Sequence, residues 1–314
     1  MRKERTTSAR PSAWPNIVVG AIAAAGLVVG SYPTIAQWFS QLERSEVITG
    51  YVAETRAIDG EHRQRILEEA HAYNDAIPEI LLTDPYTLKD ASEGKGGAWE
   101  LYQQQLRAPR GEVMARITIP DIDVDLPILH GTDDLTLSRG VGHLFGSSLP
   151  VGGEGTHSVL TAHTAFVDAM MFDRLTEVQV GDVFFIDVFD ERLAYQVDQT
   201  QAVLPEEIDD LQLVPGEDYV TLITCTPPAV NTHRLLVRGA RIPLSEADHG
   251  SDTITSGISH PGFPWWAVWV GAGLLLISGG VVWASRPELL ARRVPRRVRQ
   301  KRRGTPDSTP FISS

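Results

Sequence analysis

Cys225 is the only cysteine among 314 residues, and it stands in TLITCTPPAVNTHRLLVRG, where the pattern reads as the end of a strand. A lone cysteine excludes an intrachain disulfide and any multi-cysteine metal site. Most such cysteines are inert and buried among apolar neighbours. This one is flanked instead by Thr224, Thr226, two prolines, Asn231, Thr232, His233 and Arg234. A thiolate at a strand terminus can attack a carbonyl carbon, and a guanidinium returned by the turn that follows can hold the oxyanion that develops. Such a nucleophile needs a proton carrier, usually histidine. The chain offers His62, His71, His130, His143, His157, His163, His233, His249 and His260, and spacing leaves His157, His163 and His233 open as the partner. The acidic runs IPDIDVD and EEIDD lack the EF-hand spacing with its central Gly and terminal Glu. They read as solvated loops, and no metal or other cofactor is expected.

Strands must position these groups. After Gly111 the segments VMARITI, VDLPIL, THSVLTA, VFFIDVF, RLAYQVDQ, YVTLITC and HRLLVRGARI are short and rich in β-branched and aromatic residues. Turn formers such as PVGGEG, VGD, FDER and VPGED separate them. Seven or eight strands in so short a stretch predict a mainly β fold, a closed barrel or a sandwich. Upstream, Ile66, Ala70, Tyr73 and Ile77 fall on one helix face, and Pro78 ends that helix. The stretch LLTDPYTLKDASEGKGG then reads as a long loop, with a short helical piece from Trp99 to Leu106.

Two apolar segments flank this region. Residues 264–284 carry no charge and place Trp265, Trp266, Trp269 and Trp283 near their ends, the pattern of a transmembrane helix with interfacial aromatics. Residues 17–39 are also uncharged and follow Arg2, Lys3, Arg5 and Arg10. An uncleaved anchor is favoured over a cleaved signal peptide because no A-x-A site is convincing. The net charge of −12 is unevenly spread: between basic ends, the middle holds 15 basic against 37 acidic residues. An acidic body repels phosphate backbones, so nucleic acid is not an expected partner. The basic tail after residue 284 reads as a cytoplasmic stop-transfer cluster that also touches anionic lipid. Both termini are then expected in the cytoplasm, and the acidic domain outside the cell membrane.

The run TLITC followed by NTHR resembles the signature of sortases, in which the catalytic Cys ends one strand and the catalytic Arg begins the next region. GTHSVLTAH resembles the companion strand, whose last His is catalytic. SSLPVGGEGTHSVLTAH with GVGHLFG before it, the NTHRLLVRG ending, the two membrane segments and DPY in a loop ahead of the strands resemble the class C, pilus-building group. The resemblance covers roughly residues 51–243. It implies an eight-stranded β-barrel with an N-terminal helical extension and a lid loop, and a catalytic set of His163, Cys225 and Arg234. It also implies that Asp84 and Tyr86 plug the site near Arg234 and Cys225.

The implied reaction is cleavage of an LPxTG-like sorting signal between Thr and Gly through a thioacyl intermediate, resolved by a pilin lysine amine. The implied partners are pilins or surface proteins bearing that signal. Wall anchoring of surface proteins, or a non-enzymatic tethered β-domain that binds them, are the alternatives. Two departures stand out: Pro228-Ala229 replaces the Tyr-Gly of many relatives, and HTAF replaces HRGL or HTGL after the histidine.

The expected organisation is a basic N-terminus (1–16), a transmembrane signal anchor (17–40) and a helical extension with lid loop (41–110). The catalytic β-barrel (111–244), a tether (245–263), a transmembrane helix (264–284) and a basic tail (285–314) follow.

Overall fold

The computed structural model describes residues 13–76, 85–86, 96–109, 111–164, 171–207, 209–228, 230–247 and 261–286. Eight strands form from the β-branched segments: β1 (Val113–Ile119), β2 (Val124–His130), β3 (Val141–His143), β4 (Thr156–Thr161), β5 (Val183–Val188), β6 (Glu191–Val203), β7 (Asp218–Thr226) and β8 (His233–Ile242). They close into a barrel in the order β1-β2-β3-β4-β7-β8-β6-β5, with β5 back on β1. The expected mainly β barrel is therefore observed. Seven strands match segments read from sequence. The eighth, β3, spans three residues, too few for any alternation to register.

The closed sheet has two apolar surfaces. Its interior holds the main core, with Met114, Ile117, Ile128, Phe184, Tyr195, Val220, Leu222 and Val237 all buried. Against the exterior packs the later part of α1 (Trp14–Ala57), whose Ile48, Tyr51 and Val52 meet Val113 and Leu129. Tyr51 donates its hydroxyl to Met114 O and accepts from Phe189 N–H, each at 3.0 Å. A buried ion network lies on β1, β2, β5 and β6. Arg116, fully buried, grips Asp125 with Nε at 2.6 Å and Nη2 at 2.9 Å, and reaches Asp187 at 3.4 Å. Arg192 grips Asp187 from the other side at 2.6 and 2.9 Å.

The helix expected before the loop is α2 (Gly60–Ala76), and the short one after it is α3 (Gly96–Gln104). Both are tied to the barrel region. Asn74 exchanges hydrogen bonds with Leu149, and Tyr102 of α3 is buried among His130, His143 and Phe145. The Tyr102 hydroxyl meets His143 Nδ1 at 2.9 Å and accepts from Gly131 N–H.

The chain divides into two compact units, residues 32–264 and the two chain ends. In the second of these, the start of α1 runs antiparallel to α5 (Trp265–Ala284), as paired contacts at 20 with 281 and 27 with 273 require. Glycine makes the approach possible: a Cβ at Gly20 would come within 2.4 Å of Val281, and one at Gly273 within 2.6 Å of Leu27. Small residues allow such close helix contact in hydrocarbon. Both helices are long and apolar enough to span a membrane. α1 continues without a break past residue 40, where the anchor was expected to end.

Candidate active site

Strand alternation sorts the wall into rows. On β7, Val220 and Leu222 face the barrel core, so Tyr219, Thr221, Ile223 and Cys225 face outward. Pairing extends each of these across the sheet. Cys225 opposes Arg234 of β8, and Arg234 opposes Val203 of β6. Two residues back along β7 lies the row of Ile223, Leu236 and Gln201, and two further back the row of Thr221, Arg238 and Gln199. On the other side β4 runs parallel to β7, with His157 beside Tyr219, Val159 beside Thr221 and Thr161 beside Ile223.

This register separates the three histidines. The paired ladder ends at Thr161 beside Ile223; His163 and Cys225 each lie two residues past it, at the level where Tyr86 touches both His163 and Arg234, the partner of Cys225. His157 is six residues from that level, roughly 20 Å along the strand. Both of its ring nitrogens are engaged, by Gln212 O at 2.9 Å and Thr221 Oγ1 at 2.7 Å. His233 pairs with Thr226, past the nucleophile, and meets Thr232 Oγ1 at 3.0 Å. Burial lowers the pKa of His163, and the Asp134 carboxylate offsets part of that shift.

Side chains staple the two strand ends where the ladder runs out. Thr224, on the inner face beside Cys225, donates to Ala162 O at 2.8 Å and shares a hydrogen bond with Thr164. Ala162 N–H still donates to Ile223 O at 3.2 Å. Arg234 is held from its own turn: Nη1 donates to Asn231 O at 3.1 Å and to His233 O at 3.3 Å. Asn231 has φ +59°, a left-handed conformation that Asn adopts more readily than most side chains. Cys225 and Arg234 are buried, and His163 is partly exposed.

Tyr86 covers this row. Its ring centroid lies 5.9 Å from that of His163, and the Arg234 guanidinium carbon lies 5.0 Å from its centre. Its hydroxyl donates to Ala162 O at 2.6 Å. Burial, reinforced by nearby Cys225, raises its pKa and keeps it a neutral donor. Pro85 lines a pocket together with Val203, Leu204, Leu211, Ile223 and Leu236. Asp84, expected beside Arg234, lies outside the described residues. The pocket residues were not legible in sequence, because apolar and polar residues are mixed on both faces of β7 and β8 and alternation gives no contrast.

The sortase-domain family model matches residues 117–242, which contain the whole row. Sortase C-1 of Actinomyces oris superposes with a TM-score of 0.55 and 47% identity, covering 58% of this chain and 99% of that one. The chain belongs to the sortase family. A sortase C of Streptococcus pneumoniae matches with TM-score 0.57 and 38% identity, over 63% of this chain and 97% of its own. A pilus-related sortase C of Group B Streptococcus gives TM-score 0.56 and 42% identity, over 62% and 95%. Among curated relatives, Sortase A of Streptococcus agalactiae is 25% identical over 150 residues, 47% of this chain and 60% of that protein. Sortase D of Bacillus subtilis is 30% identical over 117 residues, 37% and 56%. This sortase thus spans about three-fifths of the length of the curated relatives it matches.

Proposed function

We propose that this sortase is a pilus-assembly cysteine transpeptidase with Cys225 as nucleophile, His163 as proton carrier and Arg234 as oxyanion holder. One observation supports the reading: Cys225 pairs with Arg234 across the β7–β8 ladder, and Tyr86 touches both Arg234 and His163. The Cys225 sulfur attacks the Thr carbonyl carbon of an LPxTG-like signal, and Arg234 stabilises the tetrahedral oxyanion. Collapse breaks the Thr–Gly bond, His163 protonates the leaving glycine amine, and a thioester remains on Cys225. A lysine amine of the next pilin then attacks the thioester and gives a proton to His163; the C–S bond breaks, the isopeptide leaves, and the Cys225 thiolate is restored beside protonated His163. Tyr86 occupies the place of the reacting Thr, so the enzyme rests closed and Tyr86, with Asp84 as its companion, acts as a lid.

The domain boundaries follow this scheme: the barrel is catalytic, and the two apolar helices anchor it in the cell membrane. Basic residues concentrate beyond both helices, which favours cytoplasmic termini and an extracellular barrel. The substrates are pilins or surface proteins ending in the sorting signal.

Incubation of the full chain with a purified pilin carrying LPxTG tests this. Covalent ladders joined through lysine are expected, with a C-terminal fragment starting at Gly. Release of that fragment without ladders, with transfer to a wall-peptide amine instead, would assign the sortase to wall anchoring. Neither product would overturn the enzymatic reading.

A further inference from the structure

A second pocket adjoins the one that Pro85 lines, and no step above uses it. It is lined by Gln199, Gln201, Asp210, Thr221, Leu236 and Arg238, and it shares Leu236 with its neighbour. Tyr86 lies over Arg234, and the preceding Pro85 shares a pocket with Ile223 and Leu236, so the N-terminal direction leads away from Cys225. Successive rows are two residues apart, about 6.6 Å, and an extended peptide advances about 3.3 Å per residue. With the reacting Thr at the Cys225 row, the Pro of LPxT falls at the Leu236 row. The residue just before Leu, four positions upstream of Thr, falls at the Arg238 row, inside the second pocket.

The charge balance there is one-sided. Arg238 is already matched by Asp198, with Nε to Oδ1 at 3.0 Å and Nη2 to Oδ2 at 2.8 Å, and it lies 4.3 Å over the Tyr219 ring. Thr221 Oγ1 is engaged by His157. Asp210 accepts from the neutral Gln201 amide, which leaves its negative charge in place. The β6–β7 connection, residues 204–217, carries Glu206, Glu207, Asp209, Asp210 and Glu217 and no Lys or Arg. We infer that this pocket is a specificity subsite for a lysine or arginine side chain immediately N-terminal to the Leu-Pro of the sorting signal. The inference rests on the proposed transpeptidase reading for its direction and ligand.

Three peptides with Lys, Ala or Glu before LPxTG test it, on the full chain in detergent with Tyr86→Ala to open the groove. The expected order of kcat/KM is Lys, Ala, Glu, with Lys over Glu by roughly tenfold, carried in KM. The spread should shrink in about 0.5 M salt, and Asp210→Lys should reverse the order. Equal values for the three peptides, a preference for Glu, or an order unmoved by Asp210→Lys would overturn the subsite. If no peptide is cleaved, the transpeptidase reading fails separately. The subsite is then decided by fluorescence anisotropy of the same peptides on the Cys225→Ala, Tyr86→Ala chain, where the same order supports it and equal affinities overturn it.

Discussion

Two regions of this barrel hold the same residue types and put them to opposite uses. Beneath α1 and α3 lie an arginine and a histidine sealed from water: Arg116 is gripped by two carboxylates, and His143 donates Nε2–H to Ser148 O at 2.8 Å while Tyr102 meets its other nitrogen. At the strand ends, Arg234 leans on backbone carbonyls of its own turn, and His163 stands partly exposed beside Cys225. Fixed partners, carboxylates for Arg116 and neutral groups for His143, together with full burial lock the first pair into the fold. In the proposed reaction, a position where the sheet ends lets the second pair meet a substrate. Location within the sheet, more than residue type, separates structure from chemistry here.

The sharpest way to break this contrast is at the strand ends. Cys225→Ala is expected to abolish peptide cleavage, and Arg234→Ala and His163→Ala each to lower kcat by about 10²–10³. Thermal stability should hardly change, and near-normal turnover in His163→Ala would remove it as proton carrier. Mutation of the sealed region should do the reverse. Arg116→Met leaves Asp125 and Asp187 buried without their shared cation, and a loss of about 3–5 kcal/mol is expected in urea denaturation.

Acid probes the same region more gently. Burial pushes the His143 pKa from 6.5 down to about 4, so between those values the unfolded chain takes up a proton that the folded chain refuses. Its stabilising contribution is complete above about pH 6.5 and falls as pH drops towards 4, by at most about 3 kcal/mol. Half-buried His130 and buried His157, also lowered, add to the slope with the same sign. Denaturation at pH 7.5 and 4.5 should show the slope, and His143→Gln should flatten part of it.

The smallest effect is expected at Tyr86. Tyr86→Ala opens the row and leaves the main barrel core intact, removing only packing on the small cluster of Leu144, Val159, Leu211, Ile223 and Leu236, so alkylation of Cys225 should quicken a few-fold with little change in stability. Unchanged alkylation would make Tyr86 an ordinary surface contact.

Much of this molecule was legible in its residues. Local composition is enough to mark the β-branched segments that became seven of the strands, the uncharged runs long enough to cross a bilayer, and a cysteine set among polar neighbours. These are properties of near neighbours in sequence, where side-chain shape and hydropathy act directly on the backbone. Three-residue β3 was hidden because so short a strand is held by its partners β2 and β4 rather than by propensity. The choice among His157, His163 and His233 was hidden from spacing for a related reason. A parallel β4·β7 register sets His157 beside Tyr219, while His163 follows the end of that ladder and meets Tyr86. The apolar and polar pockets likewise exist only because β6, β7 and β8 align residues far apart in the chain. Sequence determined which groups were present and where strands would form; only closure of the barrel decided which of them meet.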